Sequence, residues 1–121
     1  MKRMIWTLAA LVLMASCRRE DDILPRTREV LVIYMMAENS LSGYAGTDLG
    51  EIRSARQDIP ADCRVVVLLD DANPVPGPRI FSIDRKGEQE IERYGHEIFS
   101  TDSVVIKEAL QTIVRRCPAD N

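Results

Sequence analysis

One histidine, three cysteines and no long apolar run narrow what the 121-residue chain can be. A Cys and His dyad built within it has a single imidazole to draw on, His96. No uncharged stretch reaches the roughly 20 apolar residues that span a bilayer. Acidic residues outnumber basic ones 19 to 16, which argues against nucleic acid as a partner. A calcium loop wants six or more oxygen ligands, and none is spelled out.

What is present begins with a leader. Lys2 and Arg3 precede an uncharged apolar segment, Met4 to Ala15, which ends in small residues. A positive start, a short apolar core and small residues before a cut form a secretory signal over residues 1 to 16. Met14-Ala15-Ser16-Cys17 resembles the bacterial lipobox, in which the cysteine is acylated and the leader is cut before it. Met14 departs from the commoner leucine. Cys17 is then the lipid attachment site, and more than one acyl chain makes a stable anchor. The mature chain keeps 14 basic and 19 acidic residues, a net charge of −5. Residues 17 to 28 read as a lipid-anchored tether carrying the run Arg18-Arg19-Glu20-Asp21-Asp22. A cysteine followed by acidic residues also resembles the surface-export signals of some Bacteroidetes lipoproteins. The expected location is the bacterial cell envelope, at the outer membrane or cell surface, with the membrane as a partner through Cys17.

From residue 29 the pattern is α/β. Val30 to Ala37 is uncharged and rich in β-branched and aromatic residues, as suits a strand buried on both faces. Glu38, Asn39 and Ser40 follow it, and Asn39 or Ser40 is the expected cap of a helix whose stripe is Leu41, Ala45, Leu49 and Ile52. Gly43, Gly46 and Gly50 weaken that helix and suggest close approach to a neighbour. Ile59 to Asp62 turns the chain into a second strand, Cys63 to Leu69, which ends in Asp70 and Asp71. Strand, helix and strand make one right-handed βαβ unit. After the proline-rich loop Ala72 to Pro78, Arg79 to Asp84 and Gln89 to Tyr94 predict an exposed antiparallel hairpin projecting from the core. A last helix is expected from Ser103 to Cys117. Thr101 or Asp102 caps it, and Val105 or Ile106, Ala109, Leu110, Ile113, Val114 and Cys117 face the sheet. Two parallel strands and two helices leave a thin core and an unpaired apolar strand edge, as in the front part of a larger domain.

Three places carry a family resemblance. Glu29 to Leu41, EVLVIYMMAENSL, is similar to the first strand and turn of the clostripain family of cysteine endopeptidases, and Leu41, Tyr44, Ala45, Asp48, Leu49 and Glu51 resemble its next helix. Val65 to Asp70 is similar to the family's second strand, and Cys117-Pro118-Ala119-Asp120 resembles its YPAD helix ending. The resemblance implies a partial caspase-like three-layer sandwich with a mainly parallel sheet and an inserted β-hairpin. It implies cleavage of protein or peptide substrates after arginine or lysine by a Cys and His dyad. In the family the histidine stands on the strand after YPAD and the cysteine on the one following, so no catalytic residue is expected within residues 29 to 121. The missing strand, in the remainder of the peptidase domain, would pair with the first one.

Glu38, Asn39, Ser40, Asp70 and Asp71 are accordingly expected at the rim of a cleft. His96 lacks the family's following glycine and reads as a surface or helix-entry residue. Clostripain's association with calcium suggests a cofactor by analogy, yet no metal ligand is assigned. Once Cys17 is acylated, Cys63 and Cys117 remain; separate thiols are favoured over a bridge. The alternative function is a non-catalytic lipoprotein binding module that uses the hairpin and the strand ends.

Overall fold

In the computed structural model, residues 22–72, 77–96, 98 and 102–121 are described. Cys17, the leader and Asn73 lie outside them. Two faces of one sheet organise the chain. The order is β1 (Glu29–Ala37), α1 (Ser42–Ser54), a 3-10 turn (Arg56–Asp58), β2 (Cys63–Asp71), β3 (Arg79–Asp84), β4 (Gly87–Arg93) and α2 (Ser103–Arg116). The strands lie in the order β1-β2-β3-β4, with β1 parallel to β2 and the other two pairings antiparallel.

Strand alternation builds the layers. Val66 and Leu68 of β2 pack with Ile80, Ile91, Ala109, Ile113 and Cys117 on the α2 side. Val67 and Leu69 pack with Phe81, Ile83, Ala45 and Leu49 on the α1 side. The α/β three-layer arrangement is as expected, and β2 is buried on both faces.

Several local expectations change. The hairpin does not project: β3 pairs with β2, and Ile80 and Ile83 are fully out of water on opposite faces. Its two antiparallel pairings make the described sheet mixed. Nor is β1 buried on both faces. Among the described residues it has a sheet strand on one side only, and Leu31 and Met36 are 60% and 56% exposed. The hydrophobic run encoded the strand correctly, but its place at the sheet edge removed the cover.

Leu41 rather than Asn39 or Ser40 occupies the cap position of α1, with no side-chain cap bond, and it is exposed. Beside Gly43, Gly46 and Gly50 an added Cβ would meet nothing within 4 Å, so close approach does not explain them. At α2 the Asp102 cap is as expected: its carboxylate accepts from the Val104 and Val105 amides at 2.9 and 3.4 Å. Ala109, Ile113 and Cys117 face the sheet, whereas Leu110 and Val114 are exposed and Arg116 is buried instead.

Residues 22 to 28 do not hang free. The Arg116 guanidinium donates to the carbonyls of Asp22 (3.0 Å) and Ile91 (2.7 Å), and Arg64 donates to that of Pro25 (3.1 Å). Leu24 packs against the α2-side core. The segment is a strap across the sheet, from below β4 to the start of β1. It continues into a parallel pairing with the residues after α2: Thr27 N to Pro118 O, Asp120 N to Thr27 O, Asn121 N to Arg28 O and Val30 N to Asn121 O. The last of these reaches β1 on the side that β2 does not occupy; the others fall on the two residues before the strand.

Candidate functional site

Parallel pairing of β1 with β2 brings the ends of two chemically similar strands together. Met36 stands opposite Asp70 and Ala37 opposite Asp71, so Glu38, Asn39 and Ser40 leave the sheet beside the two aspartates. All five expected rim residues therefore share the carboxyl edge of the sheet, where open α/β sheets place ligand crevices.

Their environments differ. Glu38 and Ser40 are exposed. Asn39 shapes the entry to α1: its Oδ1 accepts from the Leu41 amide at 2.9 Å and its carbonyl from the Ser42 amide at 3.0 Å. Ser42 Oγ accepts from the Ala72 amide at 3.4 Å and so ties the two strand ends to each other. Asp70 is buried. Asp71 accepts from Arg79 Nη2 at 3.2 Å, and Arg79 Nη1 donates to the Gly77 carbonyl at 2.7 Å. Gly77 has φ 79°, a left-handed conformation that glycine adopts without a Cβ penalty. Arg79 thus braces both ends of the 72–78 loop.

Arg79, with Arg64 and Arg116, was missed by sequence reasoning. Only the fold reveals which carboxylate or carbonyl each one meets. No sequence signal could have found them, because their partners lie 8 to 94 residues away.

Residues that could form a dyad are held apart. His96 is exposed, edge-on to Tyr94 with ring centroids 6.1 Å apart, and it follows β4 at the carboxyl side, where Arg93 pairs with Arg79. Cys63 opens β2 at the amino edge, and Cys117 ends α2 beside the strap. Both thiols are free. Burial pushes the thiol pKa of each up, and for Cys63 the adjacent Asp62 adds to it. Such thiols are protonated at neutral pH and poor nucleophiles. His96 with either cysteine makes no catalytic pair.

Calcium fits no better. Among the described residues no three candidate ligands gather, and Asp71 already has the Arg79 guanidinium as its cation.

The comparisons with known proteins agree with this architecture. The sequence model of the clostripain family matches residues 33–121. A cysteine protease from B. fragilis is similar at 33% identity and a TM-score of 0.65, over 78% of this chain and 80% of that one. A secreted C11 cysteine protease from Bacteroides thetaiotaomicron, solved with an irreversible peptide inhibitor, is 29% identical with a TM-score of 0.63, over 79% of this chain and 27% of that one. A clostripain from Bacteroides thetaiotaomicron ATCC 29148, in complex with a peptide inhibitor, shares the fold at 15% identity and a TM-score of 0.64, over 78% of this chain and 84% of that one. No curated protein matches. With the family match spanning well over half of its residues, this chain belongs to the clostripain family.

Proposed function

We propose that the chain is the amino-terminal part of a clostripain-like cysteine endopeptidase that cleaves proteins or peptides after arginine or lysine. Alone it is inactive, because strands outside residues 29–121 carry the Cys and His dyad. The observation that carries this is the open edge of β1. Leu31 and Met36 are exposed on that strand, and the Val30 amide bonds Asn121 O on its free side, continuing the parallel pairing of Thr27 with Ala119. A strand continuing that pairing would bring its carboxyl end beside Glu38, Asn39 and Ser40.

The two sheet edges differ in a way that supports it. β4 carries Glu88, Glu90, Glu92 and Arg93, the charged guard of an edge that stays exposed. β1 has no charge from Val30 to Ala37. On α2, Leu110 and Val114 leave exposed apolar surface beside Ile106.

Glu38, Asn39, Ser40, Asp70 and Asp71 then form the rim on the β1 and β2 side of the completed cleft. Glu38, Asn39 and Ser40 are its exposed members, and Asp71 is held by Arg79. Acylation of Cys17 holds the protein at the bacterial cell envelope, at the outer membrane or cell surface.

The test is to produce residues 18–121 alone and to supply an arginyl reporter. The expected result is no hydrolysis and a protein that associates or melts without a sharp transition. A monomeric, cooperatively melting product refutes the partial-domain reading. Hydrolysis that alkylation of Cys63 or Cys117 abolishes refutes the inactivity.

A further inference from the structure

We infer that the amino edge of the sheet faces the membrane, and that the cleft over Arg64 takes the phosphate of a lipid headgroup. This rests on the acylation of Cys17 proposed above, and two independent observations carry it.

The first is the strap. Asp22 and Leu24 are bonded to Arg116 at the end of α2, on the amino side of the sheet. Five chain steps separate Cys17 from Asp22, a reach of at most about 18 Å. The acyl chains therefore draw this side of the domain toward the bilayer. The carboxyl edge, about 27 Å away along the nine residues of β2, points outward to where substrates arrive.

The second is charge. A cleft of about 520 Å³ opens at the amino edge, between the strap, the start of β2 and the β3–β4 turn. Five cations and three carboxylates line it, in a mature chain that is net negative; of the cations, Arg26 pairs with Asp120 and Arg28 with Asp62 and Glu29, which leaves Arg64, Arg85 and Lys86 to set its charge. Each carboxylate is already engaged. Asp62 accepts from Arg28, Glu88 accepts from Arg53 through both oxygens, and Asp84 accepts from the Lys86 and Gly87 amides. Arg85 and Lys86 form no ion pair among the described residues. At the base lies Arg64, 4% exposed, with its Nη2 4.0 Å from Asp84 and no hydrogen-bond partner for Nε. The surplus is positive and built around a buried guanidinium, which suits a phosphate oxyanion.

The experiment uses the full-length acylated protein in vesicles, with Cys63→Ser as background and a fluorophore on either Gln89→Cys, at the cleft, or Ser40→Cys, at the opposite edge. A quencher on lipid headgroups should dim the Gln89 probe several-fold more than the Ser40 probe. Adding Arg85→Glu and Lys86→Glu should remove the dependence of that difference on anionic phospholipid. Equal dimming of both probes in an acylated protein overturns the inference alone, whereas absence of acyl chains on Cys17 overturns the anchoring on which it rests. A Gln89 signal that responds to inorganic phosphate but not to vesicle composition assigns the cleft to a free anion and overturns the headgroup.

Discussion

Asp71, the last residue of β2, and Arg79, the first of β3, form an ion pair of 3.2 Å with side chains only 9% and 14% exposed. Across the loop between them the same guanidinium holds the Gly77 carbonyl and lies 5.6 Å from the Phe81 ring centroid. Removing the cation takes a guanidinium from a carboxylate that is largely out of water, so Arg79→Ala should lower stability by about 2 kcal/mol, and Asp71→Asn by less because the amide oxygen still accepts. Urea denaturation of the two variants against the parent measures both.

The strap should resist proteolysis at its arginines. Thr27 N bonds Pro118 O and the Arg28 carbonyl accepts from the Asn121 amide, which holds the peptide bonds that trypsin would attack after Arg26 and Arg28. Arg116→Ala removes the donor shared by Asp22 and Ile91 carbonyls, at a cost of about 2 kcal/mol. Trypsin should then cut at Arg26 and Arg28 much faster than in the parent, and mass spectrometry of the digests reads the difference.

Glycines in α1 should be replaceable with profit. Nothing lies within 4 Å of a Cβ built on Gly43 or Gly46, and both sit inside a helix. Each change to alanine should raise stability by about 0.5–1 kcal/mol through the lost freedom of the unfolded chain. A fall in the melting midpoint of Gly46→Ala would show that something packs against that face.

Acid should weaken the fold through its exposed ion pairs. The hydrogen bond from Arg28 holds the Asp62 carboxyl below its ordinary range, and that from Arg93 does the same for Glu90. A depressed folded pKa means that the unfolded chain takes the proton first. These contributions are therefore present above about pH 4 and are lost as pH falls below it. Cys117 works at the other limb: its raised thiol pKa contributes stability that is complete below about pH 8.5 and fades above it. In a pH series of denaturation midpoints, Asp62→Asn should flatten the acid limb and Cys117→Ala the alkaline one.

The free side of β1 should respond to charge. Leu31→Lys with Met36→Lys places two guards on an exposed apolar edge and costs the isolated chain little, within about 0.5 kcal/mol per site. Self-association of residues 18–121, followed by light scattering, should fall. If the edge is where the remaining peptidase strands pair, the same substitutions should also block assembly with them.

Periodicity and cap chemistry were legible where they acted locally. Cys63 to Leu69 reads as a strand covered on both faces because its neighbours on either side come from the chain's own βαβ unit and hairpin, and Asp102 caps α2 from two residues away. Leu110 and Val114 misled because apolar spacing marks a helix face without saying which neighbour covers it. Arg116 was not among the residues expected to face the sheet, yet two backbone carbonyls from distant segments hold its guanidinium in the core. At the candidate site the five rim residues were legible as a set of polar groups ending two strands. The division between Asp71, committed to Arg79, and the exposed Glu38 was not, because it depends on a partner beyond the loop.

The run Glu29 to Leu41 shows the boundary most clearly. By itself the sequence determined that these residues form a strand ending in polar groups, since eight uncharged residues leave few other ways to bury apolar surface, and it carried the family resemblance. Only the tertiary structure decided that the strand is an edge, that its free side receives Asn121, and that residues 22–28 strap the domain together. Those outcomes rest on hydrogen bonds between segments far apart in the chain, and such bonds leave no periodic mark on either segment alone.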